Sequence, residues 1–314
     1  MGNSIGKIDT RCACTKPPEH SPRTEMRQFI TEIANHARKH HTNAIVTHTN
    51  GLDLGATDAD TRAYFQAING VITESVFFKP HNGATVAQPL IGTRDTLTKC
   101  SVYRREGKSI LAIEYIDPKK PLSQGTADER TAAALFERFQ ATTPTIMTAD
   151  PLLQEIPTSQ GNMNSENVST LDKVTSFAYV INSGDKTKQD MMERLQATPH
   201  DLFVLDYFAA WQAPYTKEDI AALQTRNDGS RRLLLGYISV GEAAKHFYYW
   251  KKEWEAHPPC WVAGANDSWG SIHAKYWCPE WKKIIAAYVD TIMALGFDGV
   301  VLDTVDAYAS FEGN

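Results

Sequence analysis

Eight short apolar runs, most of them separated by a segment of helical periodicity, leave this chain few folds to adopt. They are Ala44 to Thr47, Gly70 to Phe78, Ser109 to Ile116, Thr145 to Thr148, Ser176 to Ile181, Leu202 to Tyr207, Leu233 to Ser239 and Val300 to Asp303. Runs that are apolar throughout suit strands covered on both faces, as in parallel sheets. Between them lie amphipathic stretches such as Met26 to His36, where Phe29, Ile30, Ile33 and Ala34 share one face. Eight strand–helix repeats within 314 residues match a (β/α)8 barrel, which needs about 250 residues plus insertions. A doubly wound open sheet is the competing arrangement. No GxGxxG opens a helix after the first strand and no P-loop occurs, so the barrel is expected.

Composition narrows the function classes. With 42% hydrophobic and 22% charged residues and a net charge of −5, the chain reads as globular. No Lys/Arg stripe offers an electrostatic footprint, so nucleic acid is not an expected partner. No run approaches the roughly 20 apolar residues of a membrane span, and the first 25 residues lack the apolar core of a secretory signal. The simplest reading of location is cytoplasmic. Residues 1 to 23, polar and carrying Pro17, Pro18 and Pro22, read as a disordered arm. Residues 24 to 314 read as one domain whose halves are tied by a polar linker from Leu153 to Asp172. The cysteines, Cys12, Cys14, Cys100, Cys260 and Cys278, are odd in number and lack CxxC spacing. They suggest reduced thiols rather than a zinc ribbon or a disulfide framework.

The strand exits carry the chemistry. Asn50 follows the first strand, Glu74 lies within the second, Glu114 and Asp117 end the third, and Asp150 follows the fourth. Asp206 ends the sixth, Glu242 follows the seventh and Asp303 ends the eighth, with Asp306 just beyond. In parallel α/β folds the ligand sits beyond the carboxyl ends of the strands, so acids gathered there predict an acidic pocket. All seven tryptophans lie between Trp211 and Trp281, among Tyr207, Tyr215, Tyr237, Phe247, Tyr248, Tyr249 and Tyr276. Such rings stack on sugars and attract ammonium groups by about 0.5 to 2 kcal/mol each, although at least half should be packing residues. An acidic, aromatic-walled cleft suits glycoside hydrolysis by two carboxyl groups. No GxSxG elbow and no HExxH motif point to a serine or zinc mechanism.

Four motifs in order carry a resemblance to a known family. They are Asp201-Leu-Phe-Val-Leu-Asp206-Tyr207, Leu234-Leu-Gly-Tyr237-Ile-Ser-Val-Gly241-Glu242-Ala243, Tyr276-Trp277-Cys278-Pro279-Glu280-Trp281, and Gly296-Phe-Asp-Gly-Val-Val-Leu-Asp303-Thr-Val-Asp306-Ala-Tyr308. The chain resembles glycoside hydrolase family 114, whose members include endo-α-1,4-polygalactosaminidases; Cys278 departs from the family's usual Asp. In that family these motifs belong to the first half of a (β/α)8 barrel. Here the segments around Phe29 to Arg38, Ile45 to Gly51, Ile68 to Phe78 and Gly107 to Tyr115 resemble the later half and come first. The resemblance therefore implies a circular permutant, with family strands five to eight ahead of strands one to four.

By the same resemblance Asp303 and Glu74 are the catalytic pair. The apolar neighbours Val71, Ile72, Val76 and Phe77 suggest Glu74 as general acid and Asp303 as nucleophile or base, with the reverse order open. Asp206, Tyr207, Tyr237, Glu242, Asn50, Glu114, Tyr115, Asp306, Tyr308 and Trp277 would bind a polysaccharide or oligosaccharide substrate. No cofactor and no resident metal are expected, and the chain would act as a monomer or a swapped dimer. Two other readings remain: a carbohydrate-binding barrel without catalysis, and a hydrolase using Asp303, Asp306 and Asp206 around Mg²⁺ or Ca²⁺. Family members are often exported, which conflicts with the cytoplasmic reading.

Overall fold

All eight apolar runs become strands, and each passes its chain upward in parallel to the next. A computed structural model describes residue 14 and residues 19–56, 61–81, 84–117, 126–157, 164–182, 184–207 and 213–312. The strands are β1 (Ile45–Thr49), β2 (Gly70–Glu74), β5 (Ser109–Glu114), β6 (Thr145–Met147), β7 (Phe177–Val180), β8 (Leu202–Leu205), β9 (Leu233–Ser239) and β13 (Gly299–Asp303). They form one parallel sheet in the order β6-β5-β2-β1-β13-β9-β8-β7. The first strand pairs with the last, Ile45 opposite Gly299 and His48 opposite Leu302. At the seam β6 and β7 lie against each other without a hydrogen-bonded ladder. The fold is a nearly closed (β/α)8 barrel.

Alternation along each strand divides the core in two. Ile45, Ile72, Leu111, Ile113, Ile146, Phe177, Tyr179, Leu202, Val204, Leu233, Leu235, Tyr237 and Val301 form one buried cluster, with every strand contributing to the lumen. Their neighbours Val46, Val71, Ala112, Phe203, Leu234, Val300 and Leu302 join a second cluster under the helices. A packed lumen closes the bottom of the barrel and leaves its open mouth at the strands' C-terminal ends.

Among the described residues seven helices cover the outside. The first, α1 (Pro22–His40), is capped by Ser21, whose hydroxyl accepts from the N–H of Thr24. Last comes α7 (Pro279–Leu295), with Pro279 in its first turn and Gly296 ending it in the left-handed region at φ 97°. Trp281, Ile285, Tyr288, Val289 and Ile292 are its buried stripe. Two additions interrupt the alternation: the hairpin β3 (Phe78–His81) with β4 (Ala84–Ala87), and a three-stranded sheet of β10 (Glu242–Ala243), β11 (Val262–Asn266) and β12 (Ser271–Ala274). Neither shows in the sequence pattern, because both are short and half exposed.

Order begins earlier than the expected boundary at residue 24, since Ser21 already caps α1 and Cys14 is buried. Residues 1–13 and 15–18 of the expected arm lie outside the described residues. So do residues 158–163 of the expected linker, whose flanks Leu153, Val168 and Leu171 are buried. The expectation of reduced thiols is overturned for Cys14, bridged to Cys278 across 264 positions, and for Cys260, also disulfide-bonded. Among the described residues Cys100 is the free cysteine. A pairing this distant leaves no local spacing to read.

Candidate active site

Side chains that point into the lumen along a strand emerge at its mouth once the strand ends. Glu74 continues the inward series of Ile72, and Asp303 that of Val301. Both therefore line one cavity of about 520 Å³, with Asn50, Tyr115, Tyr237, Glu242 and Asp306 also in its wall. β1 stands between β2 and β13, so the two carboxylates come from alternate strands. A smaller hollow of about 280 Å³, lined by Thr145, Ser176 and His200, lies at the opposite, N-terminal end of β6 and β7.

Each carboxylate is held from the side. Tyr115 donates its hydroxyl to Glu74 Oε1 at 2.6 Å, and Asn50 Nδ2 donates to Oε2 at 2.7 Å. The Asn50 Oδ1 accepts from the Glu74 N–H at 3.0 Å, closing a two-way link between the ends of β1 and β2. Tyr237 donates to Asp303 Oδ2 at 2.8 Å. Burial, followed by the neighbouring charge of Glu74, lifts Asp303 to about 7, against the pull of the hydrogen bonds from Tyr237 and Thr304. Asp306 is raised too, chiefly by burial and by the charges of Glu242 and Glu74.

Backbone strain gathers here. Asn50, Ser75, Leu153 and Thr304 are the non-glycine residues with positive φ among the described residues, at 57°, 56°, 53° and 57°. Asn50 binds Glu74, Ser75 follows it, Thr304 follows Asp303 and Leu153 lines the cavity. Such conformations cost on the order of 1–3 kcal/mol each and persist where surroundings over-determine them. Around Thr304 the surroundings are explicit. Its Oγ1 accepts from the Gly241 N–H at 2.8 Å and lies 3.0 Å from Ser239 Oγ. A Cβ on Gly241 would sit 2.2 Å from Thr304 O, so only glycine permits this approach.

The small sheet forms one wall. Glu242 accepts from Asn266 Nδ2 at 2.9 Å and Ser271 Oγ at 2.5 Å, and His273 Nδ1 lies 3.2 Å from its Oε1. Trp269, in the β11–β12 turn, is 73% exposed and lines the cavity together with the aromatic residues Phe247 and Tyr179.

Five expected binding residues lie elsewhere. Glu114 is fully buried on the outward series of β5, and its carboxylate accepts from the N–H groups of Val76, Phe77 and Phe78 at 2.8 to 3.3 Å. Asp206 is buried and accepts from Tyr288 OH at 3.1 Å, while Tyr207 packs against Tyr248 and Tyr288. Tyr308 lies under the Arg23 guanidinium, and Trp277 packs on Tyr276 and Phe311. None of the five lines the cavity. Asp150, another strand-exit acid, caps its own turn through the N–H groups of Leu152, Gln154 and Glu155. Sequence reasoning missed Tyr179, Asn266, Ser271 and His273 as wall residues. Tyr179 was detectable from its inward register; the others belong to half-exposed strands that carry no apolar run.

A family model described as glycoside-hydrolase family GH114 matches residues 158–314, half of the chain. The chain belongs to this family. The GH114 match takes in β7, β8, β9, the small sheet and β13 with Asp303, and leaves β2 with Glu74 outside it. Among curated proteins, an uncharacterized protein of Methanocaldococcus jannaschii is 33% identical over 48% of this chain and 43% of its own length. One from Deinococcus radiodurans is 33% identical over 38% of each chain. Another, from Thermotoga maritima, is 35% identical over 24% of this chain and 23% of its own. The chain thus spans less than half the length of each of these relatives. Among the described residues no helix is long and apolar enough to cross a membrane.

Proposed function

We propose that this chain is a glycoside hydrolase that cleaves a polysaccharide containing α-1,4-linked galactosamine, using Asp303 and Glu74 as its carboxyl pair. The observation that carries this reading is the emergence of these two acids from alternate strands into one cavity at the barrel mouth, in a chain of this family. One acid protonates the leaving oxygen while the other, ionised, attacks the anomeric carbon or activates water. The raised proton affinity of Asp303 supports it as the acid. Glu74, its two oxygens oriented by Tyr115 and Asn50, is then the ionised partner. This is the reverse of the order suggested by the apolar neighbours of Glu74.

The remaining wall suits an amino sugar. Asp306 and Glu242 add negative charge that would pair with a free amine, and Trp269 offers a ring face at the rim. The divalent-cation reading loses its support, because Asp206 sits away from Asp303 and Asp306 against Tyr288. Digestion of partly deacetylated galactosaminogalactan, with products separated by mass, tests the proposal. Short oligosaccharides are expected; binding without cleavage would replace it with the carbohydrate-binding reading.

We propose a permuted chain order from the order of the sequence motifs; the ladder that joins first and last strands is what any closed barrel shows and is compatible with it. A chain reordered to start in the segment before β7, with its present ends joined by a short linker, should fold with the same thermal midpoint. Its failure to fold would count against the permutation.

A further inference from the structure

Outside the cavity at the barrel mouth, three cysteines and a carboxylate converge. Cys14 precedes α1, Cys260 precedes β11, Cys278 is the N-cap of α7 and Glu280 lies in the first turn of that helix. Their sulfur and carboxylate oxygen atoms all lie within 4.8 Å of one another. A bridge between Cys14 and Cys278, whose Cα atoms are 5.2 Å apart, accounts for the closeness of two sulfurs. Cys260 is disulfide-bonded as well, and bridging does not account for the carboxylate. Glu280 Oε2 stands 3.0 Å from Cys278 Sγ and 3.2 Å from Cys14 Sγ. Bridged sulfurs carry no hydrogen, so this oxygen faces lone pairs on both, a repulsive arrangement unless a proton or a cation stands between them.

From this convergence we propose that Cys14, Cys260, Cys278 and Glu280, in the reduced chain, hold one structural Zn²⁺ in a tetrahedral site. The donor set fits. Thiolates and a carboxylate are zinc ligands, and Zn–S bonds of about 2.3 Å place ligand sulfurs roughly 3.8 Å apart, inside the spread of these four atoms. The soft sulfurs favour zinc over the hard cations. Cys278 sits at the N-terminus of the 17-residue α7, where the helix dipole favours its thiolate. The bridge and the metal are alternative states of the same sulfurs; the metal state needs all three thiols reduced. Its structural effect would be to pin the segment ahead of α1 to the start of α7, closing a loop of 264 positions. The inference is independent of the glycosidase reading, since no residue of the cluster lines the catalytic cavity.

The test is metal content of the full chain purified under a phosphine reductant without chelator, measured by inductively coupled plasma mass spectrometry. About one zinc per chain is expected, together with lowered thermal stability after chelation and recovery on adding Zn²⁺. Co²⁺ added to the stripped, reduced chain should give thiolate charge-transfer absorption and tetrahedral visible bands. Cys260→Ser should abolish both and Glu280→Gln, at an exposed position, should alter the cobalt spectrum without unfolding the chain. Cys100→Ser should leave zinc at one per chain. A reduced, folded wild-type chain that stays metal-free in the presence of Zn²⁺ would overturn the proposal. So would a Cys14–Cys278 bridge that survives the reductant, or full zinc retention in Cys260→Ser.

Discussion

Tyr237 and Asp303 are bonded across neighbouring strands, the phenol of one lying 2.8 Å from the carboxylate of the other, and Val301 pairs in register with Tyr237 two residues below. This hydrogen bond favours the ionised form of an aspartate that burial and Glu74 otherwise push up to about 7. Its removal in Tyr237→Phe should raise the proton affinity of Asp303 further. With Asp303 as acid, wild-type activity should fall as pH rises through about 7, and that falling limb should move to higher pH in the variant. A rate loss of about tenfold should accompany it. A pH–rate profile for both proteins checks the shift; a limb that moves to lower pH would contradict it.

Burying Asp303 beside Glu74 should also cost stability. Its folded proton affinity is raised, so protonation favours the folded state and the penalty for the charged form grows as pH climbs from about 4 to about 7. Asp303→Asn should therefore raise the melting temperature at pH 8 and leave it nearly unchanged below pH 4. Calorimetry at both pH values gives the comparison, and an equal gain at both would sink the explanation.

Much of this was legible in the apolar runs. All eight strands fall where those runs lie, because strands buried on both faces must be apolar throughout. For the same reason the runs conceal which residues face inward. Glu114 and Tyr115 are adjacent in sequence, yet the first turns outward to three backbone N–H groups and the second inward to Glu74. Counting in twos from Gly299 to Asp303 would place Val301 and Asp303 on one face, but nothing in the sequence fixes that face as the lumen. Asp206 was misplaced because its position after β8 suggests a rim group, whereas Tyr288 of α7 draws it aside. The Cys14–Cys278 contact joins the two ends of the chain and has no local signature at all.

Trp269 has little to do with folding, being 73% exposed at a turn. Trp269→Ala should leave the melting temperature unchanged. A lost sugar stack removes binding shared by ground and transition states, so KM should rise roughly tenfold, about 1.4 kcal/mol, with kcat nearly constant. Steady-state kinetics on galactosamine oligomers decide between this and a purely structural tryptophan, for which KM would stay put.

Gly241 permits a backbone approach that no other residue allows, its Cβ position lying 2.2 Å from Thr304 O. Gly241→Ala should push the β9 and β13 exits apart and displace Asp303. Activity should fall by about a hundredfold, as a shift near 1 Å can produce, with a thermal destabilisation of a few kcal/mol. Retention of wild-type activity and stability would show that the close approach does not matter.

The carboxyl pair itself is tested most directly by the rate at which Asp303→Asn and Glu74→Gln release oligosaccharides from partly deacetylated galactosaminogalactan. Each single variant should lose at least about a thousandfold in rate, several kcal/mol of transition-state stabilisation, while still binding the polymer. Near wild-type release by either one would contradict the assignment of Asp303 and Glu74.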